Sequence, residues 1–249
     1  MESGYRTFKQ AGNVMLYVLI GVILFAALIF TVARSDRSSS IASDENNILY
    51  AQAITSYADK INGAVQNVML QNGCLGSQIS FENTVVAGYT NGASPVNKKC
   101  NIFNSAGGGM NFEKPPAAAL DTAAAAASAF PAGGLVGDFF FTGNVCVDGV
   151  GTGPIATCSG DGLPNEELLL VLPWVNASVC AAINKLLENS APMLQDSDGS
   201  YDTTKFTGTY PDGFALGKSG FTAYHAGCYQ STGGSPGNGY HFYYTLLAR

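Results

Sequence analysis

Residues 14–33 read VMLYVLIGVILFAALIFTVA, twenty residues without a charged side chain. A helix rising about 1.5 Å per residue would carry this run across roughly 30 Å, the thickness of bilayer hydrocarbon. No later stretch of the 249-residue chain is as apolar. Helical patterning continues past it, because no Gly or Pro occurs between Gly21 and Gly63. Ile54, Tyr57, Ala58, Ile61, Val65 and Val68 then recur at three- and four-residue steps, the stripe of an amphipathic helix. One helix over 13–72 would be on the order of 90 Å long. It would be apolar all round in its first half and on one face in its second, with 35–43 as the place for a kink. A signal peptide cleaved after Thr31-Val32-Ala33 is the competing reading. Signal cores usually run 7–15 residues, so the segment is expected to be retained.

Charge is scarce elsewhere too. Charged residues make up 12% of the chain, against about 25% in average globular proteins. Twelve Lys and Arg face eighteen Asp and Glu, a net charge of −6 with no basic cluster. Phosphate contacts need a local positive footprint, so nucleic acid is excluded as a partner. Arg6 and Lys9 precede the apolar run and Arg34 and Arg37 follow it, so flanking charge does not orient it. The cysteines do. Cys74, Cys100, Cys146, Cys158, Cys180 and Cys228 all follow the run, and no CxxC pair occurs. An even count in a Gly-rich domain reads as disulfides in an oxidising compartment. That places the N-terminus inside and the rest outside. Nearest-neighbour pairing gives Cys74–Cys100, Cys146–Cys158 and Cys180–Cys228, one of fifteen connectivities.

A basic leader, a glycine, an apolar helix and an amphipathic continuation together resemble the type IV pilin and type II secretion pseudopilin superfamily. The residues that carry the resemblance are Lys9-Gln10-Ala11-Gly12, then NVMLYVLIGVILFAALIFTVARS, then the helix through Met69. The resemblance implies a leader over 1–12, cut by a prepilin peptidase between Gly12 and Asn13. It implies a helix over 13–72, whose half at 14–33 lies in the bacterial inner membrane before assembly. In the filament that half would pack against copies of this chain or other pilin-like subunits. Gly21, Ala26 and Ala27 would permit close helix approach. An outer domain over 73–249 follows, in the periplasm or outside the cell. The sequence departs from the family at Tyr17, where a glutamate is usual, at Asn13, where Phe or Met is common, and in lacking the helix-kinking proline.

Past the helix the chain becomes strand-like and turn-rich. Residues 79–86 and 138–147 read as strands, 166–172 as a third and 239–247 (GYHFYYTLL) as a terminal inner strand. Asn176 or Ser178 would cap a helix over 179–188, and the alanine-rich 117–129 would be a surface helix or a loop. Strands that follow a long helix, rather than alternating with it, imply α+β with a mainly antiparallel, disulfide-containing sheet.

The sequence offers little catalytic chemistry. Gly233-Gly234-Ser235-Pro236-Gly237 fits the GxSxG spacing, but Pro236 lacks the N–H that an oxyanion hole needs after the serine. Gly217-Lys218-Ser219 resembles the end of a P-loop, yet Asp212 stands where the first glycine belongs. His225 and His241 match no zinc-hydrolase pattern. Adjacent Glu166 and Glu167 point to opposite faces of a strand. Tyr240, Phe242, Tyr243 and Tyr244 fit sheet core better than a carbohydrate face. Asp196, Asp198 and Asp202 surround Gly199 as a candidate calcium loop, though no Glu closes it as in an EF-hand. The expected protein is therefore not an enzyme. It is a structural subunit of a pilus-like filament or pseudopilus, with a membrane-anchored or tip-located adhesin as the alternative.

Overall fold

The computed structural model describes residues 12–127, 137–151, 166–189, 193–197, 201–217, 224–233 and 237–249, without the side chains of 12–15, 30–42 and 127. Two compact units divide the chain, Met1–Asn46 and Asn47–Arg249. Helix α1 is assigned to Gly12–Asn72. In the larger unit its buried residues are Ala51, Ile54, Tyr57, Ala58, Ile61, Ala64, Val65 and Val68. Their three- and four-residue spacing puts them on one face. Tyr57 meets Phe139 with ring centroids 4.5 Å apart. Polar neighbours on α1 reach the last strand: Gln66 donates to the Leu246 carbonyl, and Asp59 accepts from the Tyr244 hydroxyl at 3.0 Å.

Gly73 ends α1 in the left-handed region, with φ +63°. The turn lets the Cys74 N–H reach back to the Val68 carbonyl at 3.2 Å. Asn72 and Lys99 exchange bonds there: the Asn72 amide donates to the Lys99 carbonyl, and the Lys99 ammonium donates to the Asn72 carbonyl. A cation at a helix C-terminus also opposes the helix dipole. The Cys74–Cys100 disulfide fixes this corner.

The sheet has six strands in the order β3-β5-β6-β2-β1-β4. They are β1 (Phe140–Val147), β2 (Glu167–Leu172), β3 (Leu194–Asp196), β4 (Phe214–Leu216), β5 (Ala226–Ser231) and β6 (Gly239–Leu247). Strand β2 is buried along its whole length, as a strand covered on both faces must be. Pairs β1–β2, β2–β6 and β5–β6 are antiparallel, whereas β1–β4 and β3–β5 are parallel. Helix α2 (Thr122–Ala127) is short. Helix α3 (Ala177–Leu186) is fastened to β5 twice. Cys180 forms a disulfide with Cys228. Asn184 donates to the Cys228 carbonyl at 2.7 Å and accepts from its N–H at 2.8 Å.

These findings correct the expected α+β architecture on two points. First, the sheet is mixed rather than mainly antiparallel, because both edges are three-residue strands laid parallel to their neighbours. Second, among the described residues no helix is long and apolar enough to cross a membrane. That overturns the expected pilin layout, in which 14–33 forms a membrane-spanning half.

Smaller readings change too. Residues 79–86 form no strand beyond a bridge between Ser80 and Asn101, because Asn83 Oδ1 accepts from both the Val85 and Val86 N–H groups and curls the chain. Asn176 precedes α3, but its side chain donates to the Ala118 carbonyl instead of capping.

The double fastening of α3 gives a stability prediction. Asn184→Ala leaves both Cys228 backbone groups without this partner and should lower the unfolding free energy by about 1–3 kcal/mol. Urea unfolding monitored by circular dichroism measures it, and a change below about 0.5 kcal/mol would show that the disulfide alone holds α3.

Candidate functional site

The feature of the smaller unit that calls for a function is apolar surface. Every described side chain from 16 to 29 is exposed. Leu16 is 56%, Tyr17 68%, Val18 62% and Leu19 61% exposed. Successive helical residues lie about 100° apart, so these four circle the helix. A surface helix of a globular unit keeps a polar face toward water, and this segment has none. Eleven large apolar residues between Leu16 and Ile29 are exposed. They are 44–68% exposed, so hiding what remains would yield on the order of 10–20 kcal/mol, at about 1.5–3 kcal/mol per fully buried side chain. That is comparable to the cost of association, about 4–15 kcal/mol.

Gly21, Ala26 and Ala27 all lie in this segment. A Cβ at Gly21 would meet no atom within 4 Å, so no described residue demands glycine there. The three small residues do not form one stripe. Ala26 is displaced about 140° and Ala27 about 240° around the axis from Gly21. They offer close approach on several sides rather than one seam. Gly12 and Asn13 open α1, with side chains outside the described residues, and residues 1–11 of the expected 1–12 leader lie outside them as well.

Other candidate residues are dispersed or internal. Asp196 is fully buried on β3. Asp202 accepts from the Asn144 amide at 2.8 Å and the Thr204 N–H at 2.7 Å. Asp198 lies outside the described residues, and among these no group of three His, Cys, Asp or Glu side chains is placed to hold a metal. Two disulfides, Cys74–Cys100 and Cys180–Cys228, join the nearest-neighbour pairs. Cys146 is also disulfide-bonded, and Cys158 lies outside the described residues. His225 is exposed. His241 is buried, and burial pushes its pKa down to about 3, which keeps the ring neutral. Its Nδ1 lies 2.9 Å from the Tyr201 hydroxyl. Of the GxSxG segment only Gly233 and Gly237 are described. Phe242 and Tyr243 are buried, with Tyr240 and Tyr244 half-buried against the core.

Glu166 and Glu167 are both buried, which strand alternation does not anticipate. Glu167 Oε2 accepts from the Val147 N–H at 2.8 Å, while Oε1 has no hydrogen-bond partner. Burial raises its pKa to about 8, against opposing pulls from hydrogen bonding and Arg249. Arg249 lies with its guanidinium carbon 3.9 Å from the Tyr210 ring centroid.

No protein-family model matches the chain, and no curated protein or solved structure is similar enough to count as a relative.

Glu167 gives a pH prediction. Its pKa is higher folded than unfolded, so the folded state binds the extra proton between about 4.5 and about 8. Stability therefore falls as pH rises through that window. Glu167→Gln keeps the acceptor for Val147 without the charge. Thermal melts should show no gain for the variant near pH 4.5 and a growing gain up to about pH 8. A gain that is equal at all pH values would contradict the assignment.

Proposed function

We propose that the chain is a structural subunit of a pilus-like filament or pseudopilus, assembled by packing the 16–29 segment of α1 against the same segment of other subunits. The observation that carries this reading is an apolar helical surface exposed on every side. Scattered small residues fit it, since a helix inside a filament has neighbours on several sides. The disulfides of the larger unit suit an extracytoplasmic domain. The mechanism is burial, not catalysis.

The double variant Leu24→Asp/Phe25→Asp tests it in full-length protein. Placing two carboxylates on the shared surface should abolish sedimentable assemblies, leaving the melting temperature of the larger unit unchanged. Assemblies that persist at wild-type yield would overturn the proposal.

A further inference from the structure

The larger unit also carries a cleft of about 410 Å³, between the turn at 82–85 and the segment 98–112. A strand reading of 79–86 conceals it. Its walls are held from within. Asn101 donates to the Glu82 carbonyl and accepts from the Phe103 N–H. The Ile102 N–H donates to Ser80, and the Ser80 N–H donates to Cys100. Cys100 is tied to Cys74. The loop at 104–109 lies flush on this frame: a Cβ on Gly107 would come within 2.1 Å of the Asn101 carbonyl oxygen, and one on Gly108 within 2.7 Å of that of Ile102. A site built this rigidly gives up little freedom when a ligand enters.

The lining defines the ligand. Its two charged side chains, Glu82 and Lys98, form an ion pair and neutralise each other. Phe103 and Phe112 line the cleft as a half-buried pair, edge to face at 5.5 Å. Phe103 is braced in turn by Phe141 at 5.9 Å. Polar groups with spare hydrogen-bonding capacity surround these rings. Asn104 uses Oδ1 for the Ala106 N–H, and among the described residues its Nδ2 has no protein hydrogen bond. Among the described residues, the exposed Asn111 amide has no protein hydrogen bond, and Glu82 Oε1 has none beside the ion pair. Apolar ring faces beside neutral donors and acceptors are complementary to a molecule with one C–H face and a rim of hydroxyls. An anion or cation finds no net opposite charge here.

We propose that this cleft binds a neutral saccharide, with its C–H face against Phe112 and Phe103 and its hydroxyls on Asn111, Asn104 and Glu82. The proposal is independent of the filament reading, since it uses only residues of the larger unit. The test is an array of neutral saccharides, acidic saccharides and peptides, probed with the full chain and with Asn111→Ala and Phe112→Ala. Neutral saccharides should bind, each variant should bind about tenfold more weakly, and Leu24→Asp/Phe25→Asp should bind as the wild type does. Asn111 is exposed and makes no internal bond, so its variant decides the matter if Phe112→Ala unfolds. Failure to bind any neutral saccharide would overturn the proposal. So would binding confined to acidic saccharides or peptides, or binding that Asn111→Ala leaves unchanged.

Discussion

Apolar helical surface has to be taken out of water, and α1 meets that constraint in two ways. Between Ala51 and Val68 the chain hides one face in its own core, and polar residues such as Asp59 and Gln66 reach toward β6. Between Leu16 and Ile29 nothing of the kind happens: apolar side chains point outward on all sides. Folding satisfies the first stretch. Among the described residues, the second stays exposed.

The larger unit carries its own core. Its hydrophobic core runs from α1 through β1, β2 and β6 to α3. Two disulfides and the Asn184 clasp tie helices to the sheet and to the loops around it. The sheet ends on both sides in three-residue strands, and short edges offer little template for unwanted strand pairing.

Legibility in the sequence followed the length and regularity of each signal. Strand β6 has the bounds read from GYHFYYTLL, because nine residues rich in aromatics leave no competing pattern. The 54–68 stripe was legible for the same reason. Strands β3 and β4 were not, since three residues carry no period and their parallel pairing is decided by tertiary contacts. Asn83 turned an expected strand into a curl, and Asn176 bonded to Ala118 instead of capping, because short polar side chains choose among nearby backbone partners that only the fold reveals. The cleft lies behind that curl, and because β2 is covered on both faces, Glu166 and Glu167 are both buried, a coverage that opposite-facing side chains alone do not reveal. The membrane-length reading of 14–33 rested on apolarity alone, a property shared by surfaces that meet lipid and surfaces that meet protein.

The most direct test of the central claim asks what touches Phe25 in the assembled state. A photo-crosslinking amino acid placed at position 25 of the full chain, activated in cells, reports that contact. The account predicts a ladder of crosslinked products containing two or more copies of the chain or related subunits. Products limited to lipid, or the absence of any subunit crosslink, would contradict it.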